Sequence, residues 1–95
     1  MDVNTGYIAN NVSQVTLLLP GTAAVGDMVA VVGKGSGGWT VTQNTGQSIH
    51  FLDDTTTTTT GSITAIEDRA TLGILCTTAN SEWTVLDSVG NFTIS

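Results

Sequence analysis

A chain of 95 residues is long enough for one domain with a modest core, and only 11% of its residues are charged. The formal net charge is −6, and Lys34 and Arg69 are the only lysine and arginine. The chain therefore lacks the basic surface by which proteins bind nucleic acids or anionic membranes. No apolar run approaches the roughly 18 residues of a membrane-spanning helix, and the single cysteine, Cys76, cannot form an intramolecular disulfide.

The predicted elements are all β-strands. Runs of Val, Ile, Thr and Trp, bounded by Gly, Asn, Asp and Pro, recur at intervals of about 8–12 residues. In chain order the predicted strands are Gly6–Ala9, Val15–Leu19, Met28–Val32, Trp39–Gln43, Ser48–Leu52, Ser62–Glu67, Thr71–Thr77, Trp83–Asp87 and Asn91–Ile94. Because the intervening turns are short, we expect hairpins and meanders and exclude the crossover helices of a parallel βαβ fold. The sequence therefore predicts an all-β, antiparallel sandwich or prism-like fold.

The sequence that begins at Trp39 recurs, with changes, at Trp83. A single shift along the chain pairs Trp39 with Trp83, Val41 with Val85, and Gly46 with Gly90. We expect residues 1–95 to form a single β domain whose repeats, about residues 6–50 and 51–95, use these six residues as their structural core. The alternative is that Trp-Thr-Val is favourable strand composition that occurs twice.

His50 is the only histidine, and Ser48 shares its strand face because side chains alternate along a strand. Asp53 and Asp54 follow, so a Ser-His-Asp arrangement has to be considered. The Cα atoms of same-face neighbours on a strand are roughly 6.5–7 Å apart, and the sequence has no nucleophile-elbow motif here. Both observations favour a histidine that hydrogen-bonds to a neighbouring side chain or to solvent. We predict no catalytic, cofactor or metal site, with one metal candidate left open: His50 on a threefold axis, where three copies would supply three imidazoles.

Three aromatic residues raise the possibility of a platform for sugar rings. They are Tyr7, Trp39 and Trp83. The repeat places both tryptophans in equivalent environments, which favours a role in the core because large aromatic side chains dominate core burial.

One low-complexity segment, Thr55–Thr60, interrupts the strand pattern. Consecutive threonines point to both faces of a strand, whereas a binding surface made of threonine needs them at every second position, on one face. The run therefore does not predict such a surface. The run therefore predicts an exposed loop or the tip of a long hairpin.

The segments VTLLLPGTAAVGDMVAVVGKGSGGWTVTQNTGQSIHF and LGILCTTANSEWTVLDSVGNFTI belong to a pattern that covers nearly the whole chain, from Tyr7 to Ile94. Its most specific elements are LPGTAAVGD, GSGGWTVTQNTGQSIHF and WTVLDSVGN. This pattern resembles the C-terminal β-rich domains of phage and prophage tail-fibre-like and related fibrous surface proteins. The resemblance implies a distal, C-terminal fragment of a homotrimeric fibre, on a virion or another extracellular surface, that serves trimerisation or host-surface attachment. It carries no catalytic motif.

The shortage of charge agrees with self-association, because an ordinary soluble domain has roughly 25% charged residues to solvate its surface. We therefore expect a homotrimer with a structural and adhesive role, without nucleic acid and without membrane insertion. The alternative is a carbohydrate-binding module for host-surface glycans, which needs an exposed aromatic ring beside polar side chains. A glycan-cleaving enzyme ranks below both, because it needs paired carboxylates and the only glutamates, Glu67 and Glu82, lie in different halves.

Overall fold

The computed structural model describes residues 1–59, 61–65 and 67–95, and every regular element in these ranges is a β-strand. The strands are β1 (Thr5–Ala9), β2 (Val15–Leu18), β3 (Met28–Gly33), β4 (Trp39–Thr42), β5 (Ser48–Phe51), β6 (Asp54–Thr55), β7 (Ser62–Ala65), β8 (Thr71–Thr78), β9 (Glu82–Val89) and β10 (Phe92–Ile94). Each predicted strand is present with its ends shifted by at most two residues, and β6 was not predicted. The predicted strand Ser62–Glu67 also crosses Ile66, which lies outside the described residues.

The strands form two sheets that enclose one core. The larger sheet has the order β1-β3-β8-β9-β5-β6, and the smaller has the order β10-β7-β4-β2. Alternating side chains turn one face of each sheet inward. In β3, for example, Val29 and Val31 are buried, whereas Met28 and Val32 are exposed. The inward faces of both sheets contribute to a single cluster of buried residues, so the all-β class is confirmed, with two sheets in a sandwich-like arrangement.

The prediction of an antiparallel fold is wrong, because both sheets are mixed. Among the described strand pairs, β1 with β3, β2 with β4 and β5 with β9 are parallel. Between β1 and β3 the chain passes through β2 in the other sheet, and between β2 and β4 it passes through β3. A strand in the opposite layer thus performs the crossover for which a helix had been assumed.

The six predicted repeat-core residues have three different environments. Trp39, Val41 and Trp83 are fully buried. Val85 is half-buried against the same core. Both glycines are exposed in turns, with positive φ angles of 92° at Gly46 and 115° at Gly90. These two positions therefore shape turns, because an L side chain rarely adopts such a φ.

The two tryptophan strands lie in different sheets and are reached differently. The connection from β3 to β4 changes sheet, whereas β8 and β9 are neighbours in one sheet. The indole Nε1 of Trp39 donates a hydrogen bond to the carbonyl of Ala70 at 3.1 Å. The Nε1 of Trp83 is buried without a partner within the described residues. The structural repeat therefore stays a prediction from the sequence, and the two tryptophan segments have different tertiary environments.

The prediction of an exposed loop at Thr55–Thr60 is wrong for the first residues of the run. Thr55 belongs to β6, which pairs with β5. Thr56 is only 2% exposed, and its hydroxyl joins a buried hydrogen-bond network. Thr57 to Thr59 are exposed, and the last threonine of the run lies outside the described residues. The backbone turn at residues 52 and 53 folds the run back onto β5, which sequence composition alone does not indicate.

Candidate interaction surface

His50 lies where β5, β6 and β9 are neighbours, and a side chain from each strand contacts its ring. Its Nε2 is 3.1 Å from Glu82 Oε2 on β9 and 3.4 Å from Ser48 Oγ on β5. Its Nδ1 is 3.1 Å from Thr55 Oγ1 on β6. The hydroxyl of Thr78 donates to Glu82 Oε1 at 2.9 Å, which completes the cluster.

The Ser-His-Asp grouping that the sequence analysis considered and disfavoured is not formed by these residues. Ser48 and Glu82 share one ring nitrogen, whereas a catalytic triad places nucleophile and carboxylate on opposite nitrogens. Asp53 and Asp54 are exposed and are not among the hydrogen-bond partners of His50 within the described chain. Thr55 does occupy the opposite nitrogen, but it stands exposed on an edge strand of the sheet. The cluster is accordingly a set of hydrogen bonds that links three neighbouring strands.

Hydrogen bonds from Thr78 and then from His50 hold the pKa of Glu82 below its usual value, against a smaller opposing effect of desolvation. Glu82 is distant from His50 in sequence, and only the parallel register of β5 with β9 brings the two together. Sequence reasoning missed this partner because it excluded parallel pairing. Two side chains are too few for a zinc site, and the described residues contain no group of three or more potential metal ligands.

The aromatic residues do not form an exposed platform. Trp39 and Trp83 are fully buried. The other three aromatic residues, Tyr7, Phe51 and Phe92, are half-buried against the core. Phe92 packs at ring-centroid distances of 5.7 Å from Trp39 and 5.8 Å from Phe51. Stacking on a sugar ring requires an aromatic face open to solvent, so these positions offer little support for the glycan-binding alternative.

The outer face of the six-stranded sheet is apolar at the end formed by β1, β3, β8 and β9. We call this surface the apolar face, and its larger side chains are Ile8, Met28, Val32, Leu75 and Val89. Ile8 is 69% exposed and Val89 is 65% exposed. The register aligns exposed Ile8 with exposed Val32, and exposed Met28 with half-buried Leu75, so apolar side chains of separate strands stand side by side. Contiguous apolar patches of this kind mark interaction sites more often than isolated exposed residues do.

A shallow groove crosses the apolar face where the side chains are smallest. Gly6 and Ala30 are paired on β1 and β3, and Ala30 lies opposite Gly73 on β8. An added Cβ at Gly6 would meet no atom within 4 Å. The groove has a volume of about 300 Å³ and is open to solvent, with Met28 as its largest lining side chain. Asp87, opposite Gly73 on β9, borders this region, and the Asp27 carboxylate lies beside the groove, where it accepts a hydrogen bond from Asn4 Nδ2 at 3.2 Å.

Comparison with known proteins does not assign the chain to a family. No family model matches the chain, and no curated protein matches it either. The resemblance to fibre proteins therefore rests on the sequence from Tyr7 to Ile94. Within the ranges that the structure describes, no helix has the length and apolar character needed to cross a membrane.

Proposed function

We propose that this chain is a structural, non-catalytic module that trimerises and serves attachment at the tip of a viral tail fibre or a similar surface fibre. The observation that carries the proposal is the apolar face, a set of exposed aliphatic side chains aligned on neighbouring strands. The strand β1 at the same end is an edge of its sheet. Edge strands with exposed apolar residues invite pairing unless they are covered, so a partner surface would stabilise this end.

The energetic argument concerns burial. Fully burying a Val, Leu or Ile side chain contributes about 1.5–3 kcal/mol, whereas association costs about 4–15 kcal/mol in lost translational and rotational freedom. Ile8 and Val89 are 69% and 65% exposed, Met28 and Val32 are 44% and 42% exposed, and Leu75 is half-buried, so each contributes only part of that amount and their sum reaches the lower end of the association cost. Three copies would also present three sets of surface loops, so weak contacts with a host surface would sum through avidity.

The carbohydrate-binding alternative has less support, because the two tryptophans are in the core and the other three aromatic residues are half-buried. The histidine cluster has less support as a catalytic centre, because its serine and carboxylate contact the same ring nitrogen. Self-association explains the apolar face and the low charge content together.

Light scattering after size exclusion tests this function. We expect a mass of about three times the 9.8 kDa chain mass, unchanged on dilution into the low micromolar range. The double variant Ile8→Thr/Val32→Thr keeps strand-forming residues but removes apolar surface, so its mass should fall to that of one chain. Leu18→Thr is the matched control, because Leu18 is exposed on β2 in the other sheet. A wild-type monomer at high concentration would contradict the proposal.

A further inference from the structure

We infer that His50 is the centre of a proton-operated clamp, which holds β5 more firmly against β9 when the imidazole ring is protonated. The cluster around the ring joins neighbouring strands of the six-stranded sheet, and Glu82 on β9 lies 32 residues from His50 in the chain. This property belongs to a single chain and does not depend on the proposed trimer. Three features support it: the directions of the hydrogen bonds, the charges near the ring and the single histidine of the sequence.

The uncharged ring has one arrangement of hydrogens that suits both of its main partners. Glu82 is ionised at neutral pH, because hydrogen bonds from Thr78 and then from His50 hold the pKa of its carboxyl below the usual value. A carboxylate only accepts hydrogen bonds, so the ring hydrogen must lie on Nε2, 3.1 Å from Glu82 Oε2. Nδ1 then accepts a hydrogen bond from the Thr55 hydroxyl, whose oxygen is 3.1 Å away. The uncharged ring therefore links β5 to both of its neighbouring strands.

Protonation of the ring keeps these contacts and adds a charge to one of them. Nδ1 becomes a donor, and Thr55 can accept from it, because a hydroxyl both donates and accepts. Nε2 still donates to Glu82, but the bond now joins an imidazolium to a carboxylate. The attraction between opposite charges then adds to the hydrogen bond. The ring can therefore take up a proton without a rearrangement of the strands, and the link from β5 to β9 becomes stronger.

The side chains that face the ring are acidic or uncharged. The parallel register places Glu82 and Thr84 of β9 beside His50. The other carboxylate of β9, Asp87, lies near the opposite end of that strand. Thr55 faces the ring from β6 and carries no charge. A protonated ring would therefore meet negative charge and hydroxyl groups on both neighbouring strands.

The remaining charged side chains nearby do not compete for the pair. Asp53 and Asp54, in the turn and at the start of β6, are exposed and form no ion pair with the ring. Arg69 precedes β8, whereas Thr78, which binds the carboxylate of the pair, ends it. This strand of eight residues spans about 23 Å. Lys34 follows β3, whose end pairs with the start of β8, so both cations lie far from the clamp.

Solvent reaches the cluster, so the ring can exchange protons and the gain in stability is modest. The side chains of His50 and Glu82 are 35% and 46% exposed. Exposed ion pairs are weakened by water and salt, and each contributes little to stability. An imidazole changes charge between about pH 5 and pH 8, whereas carboxyl groups do so mainly at lower pH. Because His50 is the only histidine, its replacement removes the one imidazole that titrates in this window.

Urea denaturation at about pH 7 and about pH 5.5 tests the clamp, at low salt and one fixed protein concentration. We expect the wild-type midpoint, relative to that of His50→Gln, to rise by about 0.1–0.5 M on acidification, which is the effect of one exposed ion pair. In a Glu82→Gln background the same comparison should show no rise, because the amide still accepts from Nε2 but carries no charge. Asp54→Asn is the matched control, because it removes a nearby carboxylate that is not paired with the ring, and in that background the rise should remain.

The outcomes separate a specific clamp from a general effect of charge. A wild-type midpoint that stays level or falls relative to His50→Gln on acidification would overturn the clamp. An equal rise in the Glu82→Gln background would overturn it too, because the effect would then belong to the net charge of −6. A monomeric wild type would overturn the proposed function, whereas the clamp would stand or fall by the urea midpoints alone.

Discussion

The substitution Thr56→Val tests the finding that the threonine run is partly internal. The Thr56 hydroxyl accepts a hydrogen bond from the backbone N–H of Ile49 at 2.8 Å and donates one to Gln43 Oε1. All three residues are buried, with exposures of 2% for Thr56, 0% for Ile49 and 8% for Gln43. Valine has nearly the same shape but no hydroxyl, so the backbone donor and the amide acceptor would both remain buried without a partner.

The expected loss follows from these two groups. Each buried polar group left unsatisfied costs about 1–3 kcal/mol, so Thr56→Val should lower the free energy of unfolding by about 2–6 kcal/mol. A domain of this size has about 5–15 kcal/mol in total, so the loss is a large fraction of its stability. Urea denaturation followed by tryptophan fluorescence should show a lower midpoint with an unchanged slope, measured at one fixed protein concentration.

Thr58→Val provides the matched control. Thr58 belongs to the same run but is exposed, and within the described residues only its backbone carbonyl forms a hydrogen bond, as the acceptor for the Gly46 N–H at 2.8 Å. The control should change stability by no more than about 0.5 kcal/mol. If Thr56→Val unfolds at the same urea concentration as Thr58→Val, the buried network is not formed and the run is the exposed loop that composition suggests.

Two further predictions concern the buried indoles and the histidine cluster. Trp39→Phe should lower the urea midpoint more than Trp83→Phe, because Trp39 loses its hydrogen bond to Ala70 whereas Trp83 loses an N–H that has no partner; equal losses would contradict the difference between the two sites. The lowered pKa of Glu82 means that its ionised form is favoured in the folded chain, so its contribution to stability is complete above about pH 4.3 and is lost as the pH falls through the lowered value. Glu82→Gln should flatten this part of the stability profile, measured by urea midpoints across acidic pH, and an unaltered profile would exclude Glu82, with its hydrogen bonds from Thr78 and His50, as its source.

Much of the strand pattern was accessible from the sequence, because strand formation depends on local features. Alternation in MVAVV places every second residue of β3 inside, and the structure buries Val29 and Val31 as this period requires. Gly46 and Gly90 follow polar stretches and form turns with positive φ, as turn chemistry leads one to expect. Strand ends and exposed turns thus followed from neighbouring residues.

The candidate surfaces were less accessible, because they consist of residues from strands that are distant in the chain. The contact of His50 with Glu82 requires β5 to lie parallel to β9. The apolar face requires β1, β3, β8 and β9 to lie in this order, which brings Ile8, Val32 and Val89 to one face, although each strand alone carries only one or two large exposed apolar side chains. Nothing within a single strand specifies its neighbour in the sheet.

The sequence by itself therefore determined the all-β class, the positions of most strands and the acidic, weakly charged character of the chain. The tertiary structure decided which strands pair, in which direction and in which sheet, and with that the burial of Thr56 and the exposure of the apolar face. The physical reason is that alternation and turn propensity act over a few residues, whereas strand partners are selected by burial across the whole core. Two parallel neighbours in one sheet can be connected through a strand of the opposite sheet. The short turns of the sequence do not by themselves reveal this topology.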